Sequence, residues 1–420
     1  MFNRLKGTKD IYGEEALILN YVKNAFFEIA NNYNFSFIDT PIIEDIQLFV
    51  RSAGETSDIV TKEMYAFKDN GKRDIALRPE GTASTIRAFV ENKINNLENG
   101  KFYYFGPMFR YERPQKGRYR QFIQGGVELI AKRSSNTNFE IIKLAYDFLK
   151  KVKINDFRLE INNLGSFETR NKYINVLKEY FSKHLDDLSE ISKLRLEKNV
   201  LRILDDKEEQ EKDFVKNAPK LIDYLSQEEK IEFNNLLDLL EKFEINYKIN
   251  PYLVRGLDYY TDIVFEFVST SEAMGAKSAI LAGGRYDGMI ESFGGPNLDS
   301  IGFAFGADRL IEIIKFNKEK YSELYEQIDV LIAYLNEDEK DQVFKLAYDL
   351  RNYMKVNLVN EKLTIKQLFK NQFKYKPKYL IFKELNANQN EFKIKTEKEE
   401  KIISFSNITD FINEMKEMDK

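Results

Sequence analysis

The stretch from Phe109 to Glu128 reads FRYERPQKGRYRQFIQGGVE, and it sets five Arg or Lys residues among aromatics, a proline and three glycines. It reads as two strands joined by a loop. In FRYE, Arg110 and Glu112 are two apart and share one strand face; in QFIQGGVE, Gln124 and Glu128 share another at even spacing. Between them RPQKGRYR makes a mobile basic loop. An arginine fork suits phosphate oxygens, and Gln with Glu can orient a nitrogen-bearing ligand. A solvated hairpin fits the same residues taken alone.

Bulk properties narrow the choice. At 420 residues, 43% of them hydrophobic, the chain can fill two or three cores. The formal net charge of -4 argues against a protein that coats nucleic acid through bulk positive charge, so any phosphate contact must be local. The absence of cysteine removes disulfides, thiolate catalysis and cysteine-based zinc sites. A single histidine, His184, lies in a helical, charged stretch and reads as a surface residue; histidine-rich metal sites and nearly all His-based acid/base schemes are excluded with it. No metal site is expected. The start, MFNRLKGTKDIYGEE, has no signal-peptide core, and no window approaches a membrane span, so a cytoplasmic location is expected.

Outward from the hairpin, Ile18, Val22, Ala25, Phe26, Ile29 and Tyr33 follow a helical period and predict an amphipathic helix. The run FSFIDTPIIED is extended and carries Pro41. From Met64 to Glu128 short β-like runs alternate with NG, RPEG and GP, predicting antiparallel strands joined by turns. Residues 169–243 are rich in Lys, Glu, Leu and Asp, lack glycine, and include the charge run DDKEEQEKD; they predict an inserted helical subdomain. Strand-like and Gly-rich character returns in YLVRGLDYYTDIVFEFV and LAGGRYDGMIESFGG, and a compact αβ tail opens near Gln327 with VLIAYL.

Three further motifs could carry chemistry. In LRPEGT, a strand after Pro79 would put Glu80 and Thr82 on one face, where a carboxylate and a hydroxyl can bind an ammonium group; a turn with chance polar residues is the alternative. In VRGLDYYTDIVFEF, Arg255 precedes a glycine that admits a ligand, and Tyr259 and Tyr260 would face opposite ways if extended, one of them structural. AGGRYDGM and GFAFGADRL place Arg285 and Arg309 beside small residues, the second at a strand-to-helix junction suited to an anion or a nucleotide. No GxxxxGK[ST] loop is present.

Together, FRYE, GADRL and the Pro-bearing early strand resemble motifs two, three and one of the class II aminoacyl-tRNA synthetases. LRPEGT, FRYERPQKGRYRQF, LVRGLDYYT and GGRYDG in combination resemble the histidyl-tRNA synthetase family, and the similarity runs through nearly the whole of the first 315 residues. The resemblance implies an α+β fold: an antiparallel class II sheet flanked by helices over residues 1–320, the helical insertion within it, and a C-terminal α/β anticodon-binding domain over 327–420. It implies ATP with Mg²⁺, L-histidine and the histidine tRNA as substrates, a histidyl-adenylate intermediate, and a homodimer formed around IDTPIIEDIQLF.

By the same resemblance, Arg110 holds the α-phosphate, Arg255 bridges it to the attacking carboxylate, and Arg309 holds the γ-phosphate. Glu112 contacts adenine and Arg118 reaches the pyrophosphate end. Glu80, Gly81, Thr82 and Gln124 form the α-amino site, Glu128 and Tyr260 hold the two imidazole nitrogens, and Tyr259 and Tyr286 complete the pocket. Arg113, Gln115 and Lys116 in the loop face the tRNA acceptor end. In the tail, KLTIKQLFKNQFKYKPK has six lysines and no acid, and Lys362, Lys366, Lys370 and Lys374 recur every four residues; if helical they form a stripe for tRNA phosphates, a solvated helix face being the alternative.

Departures are visible. Ile123 stands where the family has His before its Gln, and Gly125 where a larger apolar residue is usual. The tail around IFKELNANQNEFKIKT leaves the family's acidic, Gly-rich pattern. The main rival is a synthetase-like regulatory subunit of ATP phosphoribosyltransferase, which senses histidine without charging tRNA; such paralogues usually lose the RGLDYY arginine or the tail, and this chain keeps both. A synthetase for another amino acid would lack the Glu128 and Tyr260 pair, and a generic RNA-binding module would not need the buried polar set.

Overall fold

The computed structural model describes residues 2–54, 57–94, 100–204, 206, 208–254, 257, 259–274, 278–325, 328–384, 388, 390–404 and 407–418. They form two compact units, Met1–Tyr321 and Ser322–Lys420.

The first unit carries, in chain order, β1 (Ser36–Phe37), β2 (Ile43–Asp45), β3 (Ala66–Lys68), β4 (Asp74–Leu77), β5 (Gly100–Phe109), β6 (Gln121–Ile130), β7 (Phe157–Asn163), β8 (Tyr247–Ile249), β9 (Thr261–Ser269), β10 (Ser278–Arg285) and β11 (Ser300–Gly306). Eight of them make one sheet in the order β1-β5-β6-β11-β10-β9-β7-β8, while β2, β4 and β3 make a small second sheet. From β5 to β7 every neighbouring pair is antiparallel, and only the edge strands β1 and β8 join in parallel. The expected α+β class II architecture is present.

Alternation along the central strands separates core from cleft. On β11, Ile301, Phe303 and Phe305 are buried, while Gly302, Ala304 and Gly306 occupy the opposite face. Phe305 packs against Phe26 of the helix Glu14–Asn32 at 4.9 Å between ring centroids and against Phe148 of the helix Ser135–Lys151 at 4.6 Å. The latter helix begins at Ser134, which closes a capping box with Thr137. These helices cover the large-residue face and leave the small-residue face open.

The region from Met64 to Glu128 departs from the expected all-strand reading. The hairpins β3–β4 and β5–β6 form, but a helix, Thr82–Glu91, stands between them. Glu80 caps it: its carboxylate accepts from the backbone N–H of Thr82 at 2.9 Å and of Ala83 at 2.8 Å. A carboxylate free to satisfy orphan N–H groups outweighs strand pairing here, so Glu80 and Thr82 do not share a strand face. Arg110 and Glu112 likewise lie beyond the end of β5, where the chain turns into the hairpin tip. That tip is closed by mutual backbone hydrogen bonds between Gln115 and Arg118.

Helices Phe167–Ser182, Glu190–Lys198, Leu201–Leu204, Asp213–Lys216 and Gln227–Lys242 occupy the segment predicted as an insertion. Their apolar cluster, with Tyr173, Leu177, Phe181 and Ile203, is continuous with Leu253, Tyr260 and Val264 of the sheet region. His184 is half-buried, its ring stacked on Phe214 at 4.8 Å.

The second unit has a five-stranded sheet, ordered β13-β12-β14-β15-β16, built from β12 (Val330–Ile332), β13 (Val356–Leu358), β14 (Tyr379–Phe382), β15 (Glu391–Lys395) and β16 (Glu400–Ser404). The lysine stripe is shorter than expected. Thr364 caps the helix Ile365–Tyr375 through Gln367, so Lys366, Lys370 and Lys374 ride on it while Lys362 lies before its start. Among the described residues no helix is long and apolar enough to cross a membrane.

Phe148→Ala should remove about 3–5 kcal/mol from the unfolding free energy of the first unit, by deleting a fully buried ring from the aromatic seam. Urea denaturation followed by circular dichroism reads this directly; a loss below about 1 kcal/mol would show that the seam does not hold helix to sheet.

Candidate active site

The small-residue face of the sheet forms the floor of a cleft of about 850 Å³. Its lining includes Glu80, Thr82, Arg110, Glu112, Gln115, Lys116, Arg118, Gln124, Tyr259, Tyr260, Tyr286 and Arg309, side chains widely separated in sequence. Arg255 lies outside the described residues. Arg113 is exposed and does not line the cleft, and Glu128 is fully buried on the cleft face at its inner end.

The hairpin register fixes the inner end. Glu128 stands opposite Phe102 and Gly302, and Gln124 opposite Gly106 and Gly306, so both point to the same face as their spacing predicts. A Cβ on residue 302 would overlap the Glu128 carboxylate; glycine is what lets that group lie against β11. Glu128 is fully buried, and the hydroxyl of Tyr286 donates to its Oε2. Its Oε1 has no hydrogen-bond partner among the described residues. Burial pushes the Glu128 carboxyl up to about 8, against the opposing pull of Tyr286. It also holds the Tyr104, Tyr259 and Tyr286 phenols well above their usual value, with the Glu128 charge adding to it.

Gln124 is anchored by its Oε1, which accepts from the N–H of Gly81 at 2.9 Å, leaving the amide nitrogen as its other polar end. Glu80 is raised by burial, partly offset by the Ala83 and Thr82 N–H groups it accepts. The two adjacent tyrosines do not face opposite ways: both line the cleft, with ring centroids 4.6 Å apart, and Tyr259 meets Tyr286 edge-on at 5.7 Å. They precede β9, which starts at Thr261, so strand alternation does not govern them. Tyr104, which the sequence reading passed over, lies opposite Gly126 with its hydroxyl 3.5 Å from Gln124 Oε1. The hairpin register was the signal that could have found it.

The outer end is cationic. Arg110 is held by Nε donating to Pro79 O at 2.9 Å and lies 5.4 Å from the centroid of the Phe122 ring. Arg118 approaches Glu112 at 3.4 Å, and Arg309 donates to the carbonyl of Ala279. Burial, followed by the charge of Arg118, lowers the Arg309 guanidinium to about 10. The three guanidiniums are near enough to feel one another, and Glu112 and Glu266 offset part of that repulsion. Glu63, from the turn Ile59–Glu63, also lines this end; burial and then Glu112 raise its carboxyl. Nothing in its local sequence marks it. Arg285, in contrast, is no ligand group: it is fully buried, with its guanidinium on Asp287 at 3.1 Å and Asn138 at 2.8 Å.

A family model described as histidyl-tRNA synthetase matches residues 7–310. The chain belongs to the histidyl-tRNA synthetase family. The histidine-tRNA ligase of Mycoplasmopsis pulmonis is 47% identical over 94% of this chain and 93% of its own length, and that of Malacoplasma penetrans is 43% identical over 99% of each. The solved apo histidyl-tRNA synthetase of S. aureus matches with a TM-score of 0.81 at 30% identity, covering 98% of this chain and 99% of that one. The family resemblance carried by the motifs is therefore borne out.

Position 125 has no room for the larger apolar residue expected there. A Cβ there would stand 2.5 Å from the Phe305 ring and 3.0 Å from Phe105, so those rings already fill the space. Ile123 does not line the cleft, whereas its neighbours Phe122 and Gln124 do.

Glu128 titrates near 8 when folded and near 4.5 when unfolded, so the folded state binds the extra proton between those values. Stability from this group is present below pH 4.5 and is lost as pH rises toward 8. The unfolding free energy of the wild type relative to Glu128→Gln should fall across that window, with a slope of up to about 1.4 kcal/mol per pH unit. Parallel melting curves for the two proteins from pH 5 to 8.5 would refute the buried-acid assignment.

Proposed function

We propose that this chain joins L-histidine to its tRNA in two steps, through histidyl-adenylate. One observation carries the reading: a single cleft combines three arginines with a fully buried carboxyl group at its inner end. An anion fits the first and an N–H group the second. Ligase relatives that match almost end to end support it.

In the first step a histidine carboxylate oxygen attacks the α-phosphorus of ATP, an O–P bond forms, the bond to the β-phosphate oxygen breaks, and pyrophosphate leaves. Both reactants are anions, so the work is to bring them together and stabilise the charge that moves. Arg110 takes the α-phosphate, Arg118 the pyrophosphate end and Arg309 the γ-phosphate, while Glu112 reads adenine. Arg255 takes the bridging position by family motif alone. Magnesium comes as the nucleotide's own complex, MgATP; it supplies charge neutralisation on the phosphates. In the second step the terminal ribose hydroxyl of the tRNA attacks the histidyl carbonyl and AMP leaves.

For the amino acid, Glu80, Gly81, Thr82 and Gln124 receive the α-ammonium group. Glu128, with Tyr260, receives the imidazole, and Tyr259 and Tyr286 wall the ring. Imidazole has two polar corners, and a site that pairs both rejects a ring lacking them because its own buried groups would be left unpaired. This separates the reading from a synthetase for another amino acid. A histidine-sensing regulatory subunit is not better supported, since the ligase relatives match this chain almost end to end.

Gln115 and Lys116 at the cleft mouth, with the exposed Arg113, face the acceptor end of the tRNA. Lys366, Lys370 and Lys374 contribute phosphate contacts from the second unit, with Lys362 beside them. The domain reading follows: residues 1–320 catalytic, with the insertion at about 169–243, and 327–420 for the anticodon arm. Phe37, Ile42, Ile43 and Phe67, on β1, β2, β3 and the adjoining turn, are each exposed apolar side chains suited to burial against a second copy, in keeping with a homodimer. A tRNA-charging enzyme works where translation does, in the cytoplasm.

Pyrophosphate exchange across all twenty amino acids should proceed with histidine alone. Glu128→Ala should abolish exchange while the far-ultraviolet spectrum stays intact; unchanged histidine-dependent exchange would sink its role. Replacing Lys370 and Lys374 by alanine should raise the Michaelis constant for tRNA and reduce the magnitude of its logarithmic salt slope by about 1.5. If neither quantity moves, the stripe is only a solvated helix face.

A further inference from the structure

The N-terminal segment makes a set of contacts that the reaction described above does not use. Lys9 is nearly buried, with its side chain 10% exposed, and its ammonium lies 2.9 Å from Asp308 Oδ1 and 3.0 Å from Glu15 Oε2. The same ammonium stands 4.6 Å from the centroid of the Tyr119 ring. Asp308 is itself buried, and its Oδ2 accepts from the backbone N–H of Ile123 at 3.2 Å. Two residues earlier, the carbonyl of Gly7 accepts from the N–H of Arg120 at 2.7 Å, and the Arg120 guanidinium lies 3.7 Å from the centroid of the Tyr111 ring.

Two partners of Lys9 are next in sequence to an arginine of the cleft: Asp308 precedes Arg309, and Tyr119 follows Arg118. We propose that Lys9 is a positioning residue for nucleotide binding, holding the helix that bears Arg309 and the hairpin that bears Arg110 and Arg118 in one register. This inference rests on the reading of those arginines as phosphate ligands.

The physical argument has two parts. The ammonium is a shared counter-ion for groups from three elements: the helix Glu14–Asn32 through Glu15, the helix Ala307–Phe316 through Asp308, and the hairpin through Tyr119. Burial works against its charge, yet Asp308 and Glu15 hold it above its ordinary value, so it stays cationic throughout the neutral range. Without it, Asp308 becomes an uncompensated carboxylate in the cleft lining, where it repels phosphates and competes for Arg309 and Arg118. Both effects fall on ATP. The histidine end, set by Glu128, Gln124 and the tyrosines, keeps its own contacts.

The test uses the full-length chain with Lys9→Met, Lys9→Gln and Lys9→Arg. Direct titration with MgATP and histidine-dependent pyrophosphate exchange are read beside melting temperature. Lys9→Met should weaken MgATP binding and raise the Michaelis constant for ATP by about tenfold, the scale on which small misplacements act. The constant for histidine should move less than about twofold, and Lys9→Arg should restore ATP binding to within about threefold. Lys9→Gln keeps a polar end, and carries the comparison if the apolar variant does not fold. The inference is overturned if ATP binding stays within about twofold of wild type, or if both Michaelis constants rise together in step with lost melting temperature, the mark of a merely structural pair. A wild type that binds ATP but activates no histidine would instead sink the proposed function and leave the Lys9 comparison intact.

Discussion

Everything in the catalytic unit depends on which way the side chains of β11 point. A strand has two faces, and here one carries Ile301, Phe303 and Phe305 while the other carries Gly302, Ala304 and Gly306. The large face must be covered, and the helices bearing Phe26 and Phe148 cover it. The small face cannot fill its own volume, so a cleft remains above it. A one-residue slip in pairing with β6 would exchange these faces and take Glu128 away from Gly302. Core packing and site geometry are thus one constraint, imposed by the same seven residues.

The cleft is divided electrostatically. At the inner end burial dominates: the Glu128 carboxyl is raised toward 8 and the neighbouring phenols are held neutral. Such a pocket favours a small polar ring that can exchange a hydrogen bond over a free ion. At the outer end Glu112, Glu63 and Glu266 face the arginines. A molecule with a small polar ring at one end and an anionic group at the other matches this division of the cleft.

Much of this was legible in sequence because it rests on short-range rules. The spacing of Gln124 and Glu128 gave their common face, and GADRL marked a strand ending at a helix start, as β11 and the helix Ala307–Phe316 do. What escaped depends on competition between local and distant partners. LRPEGT reads as a strand entrance until Glu80 is seen to cap a helix, and nothing in the hexapeptide reveals that choice. Tyr259 and Tyr260 obey a turn rather than a pleat, and Lys362 falls on the wrong side of the Thr364 cap. Arg285 looks like a ligand group beside glycines; Asn138, distant in sequence, makes it a buried structural ion. Glu63 reaches the cleft from a separate turn, a juxtaposition that only tertiary structure supplies.

The insertion enters the same mechanical unit through Tyr260. That side chain belongs to the insertion's apolar cluster, together with Leu164, Leu201 and Leu204, and its carbonyl accepts from Arg170 Nη1 at 2.9 Å. Arg202, on the short helix Leu201–Leu204, meets Asp58 at the cleft rim at 3.3 Å. The inner end of the cleft therefore has one wall fixed by the sheet, through Glu128 and Tyr286, and another fixed by the helical insertion. Packed interiors transmit displacement because they lack room to absorb it. A shift of the insertion is therefore felt both at Tyr260 and at the Asp58 rim of the cleft.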